Sequence, residues 1–198
     1  MRLSLSLTVF LVATPAFSSE DLAQQIDRVA PLVSAADFAA LGGPNTPETI
    51  VEGIDGRWFT LVNTVRNWEG SGAADLERLQ RAIERTCADT WENIVTYEAT
   101  GPGTFRVVQQ SPEGEDQGTF DMVPQNETSR VFTTTLDDDY IKKIFDIDAD
   151  APAQVQAAAL AEIHALMGAG LEIWRPTPDL MVNIRANDEP EVWGRCPG

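Results

Sequence analysis

The fold is decided at residues 91–110, which read WENIVTYEATGPGTFRVVQQ. In the first half, Val95 and Tyr97 lie on one side of an extended chain, because side chains alternate sides along a strand. The glycines and proline at residues 101–103 indicate a tight turn. The alternation resumes at Phe105, so the segment predicts two neighbouring antiparallel strands.

Runs with the same alternation extend in both directions from this segment, with turn residues between them. In chain order, the predicted strands lie at residues 57–65, 91–98, 105–110, 120–122, 130–136, 171–175, 180–185 and 191–196. Short, regular runs of this kind are typical of an antiparallel meander. We therefore predict about eight short strands in one antiparallel curved sheet or open barrel.

Two long helices are predicted beside the strands. In the first, at residues 73–88, an apolar stripe at helical spacing includes Ile83 and ends at Cys87. The second runs through residues 151–167 and stops at glycines. A broken N-terminal helical segment occupies residues 19–41. Together these elements predict a single α+β domain in which the two long helices pack against the sheet.

The first eighteen residues are organised as a secretory signal peptide. A positive start at Arg2 is followed by an apolar run that is too short to anchor the chain in a bilayer. Small residues at Ala16 and Ser18 occupy the positions that a signal peptidase reads. We therefore predict a leader at residues 1–18, a mature domain at residues 19–198, and a periplasmic or secreted location.

Charge narrows the range of partners. The chain has 14 Lys and Arg residues against 31 Asp and Glu residues. Arg2 is the only charged residue of the predicted leader, so the mature chain carries 13 basic residues and a net charge of −18. This charge repels phosphate backbones and anionic lipid, which argues against binding to nucleic acid or to a membrane surface. No later apolar run is long enough to predict a membrane span.

Cys87 and Cys196 are the two cysteines of the chain. In an oxidising compartment, such a pair predicts a disulfide bond. A metal pair or a redox pair fits poorly, because the chain has no CxxC spacing and a single histidine. The bond would tie the C-terminus to the helix at residues 73–88.

No motif for catalysis or metal binding is complete. His164 could act as a catalytic base or a metal ligand, but the sequence places no partner residue near it. The alternative is that it lies at the edge of an apolar helical stripe. The acidic run at residues 146–150 begins like a calcium loop, but Ala151 stands where that loop needs glycine. Helix capping and solvation explain the run better. The sequence thus favours a non-catalytic protein without a cofactor or a bound metal.

Aromatic residues are the remaining candidates for a binding site. Large rigid rings line a pocket for an apolar ligand in some proteins and fill the core in others. The residues predicted to contact such a ligand are Trp58, Trp91, Tyr97, Trp174 and Trp193. Trp68 falls in a predicted loop, where an exposed indole would contact a protein partner.

The first predicted strand begins Gly56-Arg57-Trp58, which resembles the G-x-W start of lipocalin-type and related calycin barrels. The resemblance implies a barrel whose bottom is closed by Trp58 near a late arginine, for which Arg195 and Arg185 are candidates. Asp139-Tyr140 is similar to part of a second lipocalin motif. The long inserted helix departs from the lipocalin pattern and resembles the helical lid of intracellular lipid-binding barrels. The resemblance implies a small apolar ligand and no catalysis.

Two hypotheses of different classes follow. In the first, an exported protein binds a small apolar molecule in a half-barrel covered by the helix at residues 73–88. In the second, a protein-interaction module of the cell envelope uses Trp68 and the acidic surface to contact a basic partner or a membrane protein. A third hypothesis, an enzyme, has only His164 and scattered acids in its favour.

Overall fold

Eight strands follow one another around a closed barrel in a computed structural model of the chain, which describes residues 22–44, 46–61, 73–89, 94–111, 113–185 and 189–197. The strands are β1 (Gly56–Thr60), β2 (Ile94–Gly101), β3 (Thr104–Gln110), β4 (Asp116–Pro124), β5 (Val131–Thr133), β6 (Leu171–Thr177), β7 (Leu180–Arg185) and β8 (Glu191–Arg195). Each strand pairs antiparallel with the next, and β8 returns to pair with β1, where Arg195 lies opposite Trp58. The result is an up-and-down meander without a free edge.

Closure of the barrel corrects the prediction of a curved sheet or open barrel. The antiparallel order of eight strands agrees with the alternating pattern of the sequence. Closure depends instead on pairing between the first and last strands. Their relative register follows from strand tilt and stagger around the whole barrel, which no local pattern encodes.

Helices flank the barrel. Within the described residues, they are α1 (Leu22–Ser34), α2 (Pro47–Val51), α3 (Ala73–Asp89), α4 (Asp138–Ile144) and α5 (Ala153–Ala169), with a 3₁₀ helix at Phe38–Leu41. The prediction of two long packing helices is wrong in this respect, because five α-helices are described and α5 has no buried side chain. Apolar residues surround α5 rather than forming a stripe, so its sequence selects no single face for burial.

Alternation along the strands divides the apolar side chains between the inside and the outside of the barrel. The interior set includes Trp58, Val95, Tyr97, Phe105, Val107, Met122, Phe132, Leu171, Ile173 and Met181. Residues of the other register, such as Phe59 and Val182, pack with α1 and α3. The protein therefore has one core inside the barrel and a second core between the barrel wall and two helices.

The second core holds the predicted disulfide. Cys87 on α3 and Cys196, just after β8, are bonded, and their Cα atoms are 5.6 Å apart. Leu79 and Ile83, on the preceding turns of α3, are buried in the same core. The disulfide prediction is thus confirmed, and the bond holds α3 on the outer wall of the barrel.

None of the helices that the structure describes is long and apolar enough to cross a bilayer. The predicted leader at residues 1–18 lies outside the described residues. The leader and the boundary of the mature domain therefore remain predictions.

Candidate ligand-binding site

Trp58 closes the bottom of the barrel, which is the end where β1 begins. Its side chain is fully buried, and its indole N–H donates a hydrogen bond to the carbonyl of Ile54 at 2.9 Å. The guanidinium carbon of Arg195 lies 4.9 Å from the centre of the indole ring. Arg195 is therefore the late arginine near Trp58, whereas Arg185 ends β7 at the top of the barrel.

Arg175 completes this closure from the inner face of β6. It is buried, and its guanidinium carbon lies 5.9 Å from the ring centre of Trp58. The guanidinium donates hydrogen bonds to the carbonyls of Ile50, Glu52, Gly53 and Pro178. Burial, assisted by the nearby charge of Arg195, lowers the pKa of Arg175 to about 10, so the group stays charged at neutral pH. Buried hydrogen bonds thus seal the bottom of the barrel.

The top of the barrel contains a cavity of about 100 Å³. Its wall is mainly apolar and includes Val95, Val107, Phe120, Met122, Leu171 and Trp193. Leu166 and Met167, near the end of α5, lie at its rim. Among the described residues, α5 is the one helix that lines the cavity, and α3, the predicted cover, packs on the outer wall instead.

Gly170 allows α5 to pass directly into β6 at this rim. Its φ of +86° lies in the left-handed region that favours glycine. A Cβ atom at this position would lie 2.6 Å from Cγ1 of Val131 on β5. The glycine therefore sets how closely the end of α5 approaches the mouth of the cavity.

A layer of aromatic rings forms the floor of the cavity. The ring centres of Trp58 and Tyr97 are 5.9 Å apart, and those of Tyr97 and Phe105 are 5.4 Å apart. Phe132 continues the layer, 5.2 Å from Phe105. Burial raises the pKa of Tyr97, and a hydrogen bond with Asn183 offsets only part of this effect. Tyr97 therefore presents a neutral phenol beneath the cavity.

Besides Tyr97, the lining residues that the structure describes include four with polar side chains. Asn183 and Thr134 are buried, whereas Arg185 and Glu191 are half-buried. Glu191 accepts a hydrogen bond from Nε1 of Trp193 at 3.2 Å. An apolar wall with a few placed polar groups is the usual composition of a small-molecule site.

The structure separates the residues that the sequence groups as a ligand site. Tyr97 and Trp193 line the cavity, and Trp58 lies beneath its floor. Trp174 packs on the outer side of the barrel, where the guanidinium carbon of Arg130 lies 3.5 Å from its ring centre.

Two predicted contact residues, Trp91 and Trp68, lie outside the described residues. The role of Trp91 in ligand binding and that of Trp68 in partner binding remain predictions. Sequence reasoning missed the polar lining of the cavity at Thr134 and Asn183. The signal was present, because Thr134 and Asn183 continue the inward alternation of Phe132 and Met181.

His164 connects α5 to α4, since its Nε2 atom lies 2.8 Å from Oδ1 of Asp138. In the acidic run, Asp148 accepts a hydrogen bond from the backbone N–H of Asp150, which is a local turn contact. Within the described ranges, no group of three His, Cys, Asp or Glu side chains is placed to hold a metal ion.

Asp116 fastens α4 to the start of β4. Its carboxylate accepts hydrogen bonds from the hydroxyls of Thr119 at 2.8 Å and Tyr140 at 3.1 Å, and from the N–H of Gly118 at 3.1 Å. Partial burial favours the neutral acid, but these hydrogen bonds outweigh it and hold the pKa of Asp116 below its usual value. Ionised Asp116 therefore helps to hold the helix pair that carries the rim.

This lowered pKa predicts a dependence of stability on pH. Because the carboxylate releases its proton more readily in the folded state, its contribution is complete above the unfolded pKa of about 4 and is lost as the pH falls through the folded pKa. We expect Asp116→Asn to melt at a lower temperature than the wild type at pH 7, with the difference shrinking below about pH 4. Asp139→Asn, at an exposed acid on α4, is the control for thermal melts. A difference that is constant from pH 7 to pH 2 would contradict this role.

Comparison of the chain with protein-family models, with curated proteins and with solved structures finds no match.

Proposed function

We propose that this protein is an exported, non-catalytic binding protein of the lipocalin-like, calycin type, which holds a small apolar molecule in the cavity at the top of the barrel. The observation that carries the proposal is the largely apolar cavity of about 100 Å³ between the aromatic floor and α5. The closed eight-stranded meander and the contact of Arg195 with Trp58 support the assignment to this type of barrel.

The volume of the cavity limits the ligand. An engineered apolar cavity of about 150 Å³ binds benzene, so a site of this order accommodates a single ring or a short aliphatic chain. Larger molecules need the rim to move. Leu166 at the rim is 43% exposed, and α5 has no buried side chain to resist such movement.

The disulfide supports export, because bonds of this kind persist in oxidising compartments such as the periplasm and the extracellular space. The apolar run and small residues at 1–18 support the same conclusion from the sequence. We therefore include a periplasmic or secreted location in the proposal.

A pair of neighbouring substitutions tests the cavity directly. Val107 points into the cavity, and Val108, the next residue on β3, points to the other side of the strand. Toluene titrated into the wild type is expected to give saturable binding, measured by calorimetry and by the total tryptophan fluorescence. Val107→Phe fills the cavity and is expected to abolish that binding, whereas Val108→Phe is expected to retain it. Absence of saturable binding to the folded wild type would overturn the proposal.

A further inference from the structure

Two buried polar atoms without a protein partner belong to residues that line the cavity. Asn183 is 3% exposed and Thr134 is 7% exposed, and both residues line the cavity. Among the described residues, neither Oδ1 of Asn183 nor Oγ1 of Thr134 has a hydrogen-bond partner. Buried polar side-chain atoms are satisfied in the large majority of cases, so each exception needs an explanation.

Asn183 is held in place from below. Its side chain is hydrogen-bonded to Tyr97, which lies in the aromatic floor against Trp58 and Phe105. The amide therefore has one atom engaged by the floor, whereas its Oδ1 atom has no partner among the described residues. A side chain fixed by its surroundings in this way is pre-organised for a ligand group.

Thr134 is the second residue of the cavity wall with a buried polar atom that has no partner in the described part of the chain. It lies just beyond β5, and Asn183 lies on β7, so the two residues flank β6 at the cavity wall. Leu171 of β6 lines the wall between them. Valine would supply nearly the same shape as Thr134 without a hydroxyl, so packing alone does not account for the polar atom.

The charges around the cavity favour a neutral ligand group. Arg185 and Glu191 both line it and carry opposite charges. A ligand carboxylate or ammonium would be attracted by one of these groups and repelled by the other, so the pair favours neither sign of charge. The two buried atoms that lack partners belong to an amide and a hydroxyl, which match uncharged hydrogen-bonding groups.

We infer, on the basis of the proposed function, that the ligand carries an uncharged hydrogen-bonding group, such as a hydroxyl. This group bonds to Asn183 and Thr134, and the apolar body of the ligand fills the rest of the cavity. The ligand class is thus a small amphipathic alcohol or phenol rather than a hydrocarbon or a fatty acid.

Phenol and toluene test this inference, because they have nearly the same shape and differ by a hydroxyl in place of a methyl group. Calorimetric dissociation constants are measured for both probes with the wild type, with Thr134→Val and with Thr133→Val, a matched change at the adjacent outward position. We expect Thr134→Val to raise the ratio of the phenol constant to the toluene constant about tenfold, the usual effect of one lost hydrogen bond. Thr133→Val is expected to leave the ratio unchanged.

A second variant guards against an effect on folding alone. Tyr97→Phe combined with Asn183→Leu removes both members of the floor hydrogen bond, and it is expected to raise the same ratio. Without ligand, Thr134→Val is expected to melt at a higher temperature than the wild type, because a buried atom without a partner is removed. A structural role for the hydroxyl would instead lower the melting temperature and leave the ratio unchanged.

Each outcome bears on the two proposals separately. If toluene binds but the ratio of the phenol constant to the toluene constant is the same in all variants, the inference is overturned and the proposed function stands. This result is expected if only water contacts the two polar atoms. Tighter binding of benzoate than of the isosteric benzamide would overturn the inference that the hydrogen-bonding group of the ligand is uncharged. Failure of all probes to bind the folded wild type would overturn both proposals.

Discussion

Arg175→Met is expected to lower the free energy of unfolding by about 3–5 kcal/mol, the cost of removing one partner from a buried charged network. The substitution leaves four backbone carbonyls, three of them in residues 50–53, without the donor that now satisfies them. It also removes a cation from the neighbourhood of Trp58. Urea denaturation followed by circular dichroism measures the change.

Arg106→Met is the control for this experiment, because Arg106 is a solvent-exposed partner of Asp121 on the barrel surface. Its removal is expected to change stability little. Arg175→Lys is also expected to destabilise the protein, since an ammonium does not reproduce the planar fork of donors. A loss below about 1 kcal/mol for Arg175→Met would contradict the account of the closed bottom.

Replacing both cysteines, Cys87→Ser with Cys196→Ser, is expected to cost about 2–5 kcal/mol of stability. The bond joins residues 109 positions apart, and a loop of about 100 residues gives about 4.7 kcal/mol in the chain-entropy model. The loss is expected to be concentrated on α3, because the bond fastens that helix to the end of β8. Hydrogen exchange should therefore show that the rate in the variant, relative to the wild type, increases more in α3 than in the interior strands.

Chemical reduction of the wild type supplies the matched control. The reduced protein and the double variant are expected to unfold at the same urea concentration, below that of the oxidised protein. Equal stability of all three forms would show that the bond contributes nothing to the fold.

The strand pattern and the disulfide were predictable because they have local or compositional causes. Period-two alternation at Val95, Tyr97 and Phe105 requires only that one side of each strand be buried, and all three residues are in the interior set. Cys87 stands on the apolar stripe of α3, which predicts its burial next to the barrel. The choice between Arg195 and Arg185 beside Trp58 needed the register of β8 against β1.

The helix at the cavity was not predictable. Both long helices carry apolar residues, but those of α3 form one stripe, whereas α5 is apolar around its circumference. The stripe of α3 suits burial against a second helix and the barrel wall, whereas α5 is left at the rim. Which of them faces the opening depends on chain connection and on the close approach at Gly170.

The ligand site was only partly predictable, because the presence of an aromatic residue does not show which way its side chain points. Trp174 and Trp193 are both tryptophans in predicted strands. The register of β6 turns Trp174 outward, whereas the register of β8 turns Trp193 into the cavity. Thr134 and Asn183 resemble ordinary polar strand residues in the sequence. Their importance follows from burial at a cavity, which is a property of the closed barrel.

Methionine methyl resonances give the most direct test of a ligand site at the top of the barrel. Met122 and Met167 line the cavity, whereas Met181 is buried in the same interior core but is not part of the cavity lining, so it serves as an internal control. On titration with phenol, the account predicts saturable chemical-shift changes at Met122 and Met167 and little change at Met181. Changes that are absent, or that are as large at Met181 as at the other two, would contradict it.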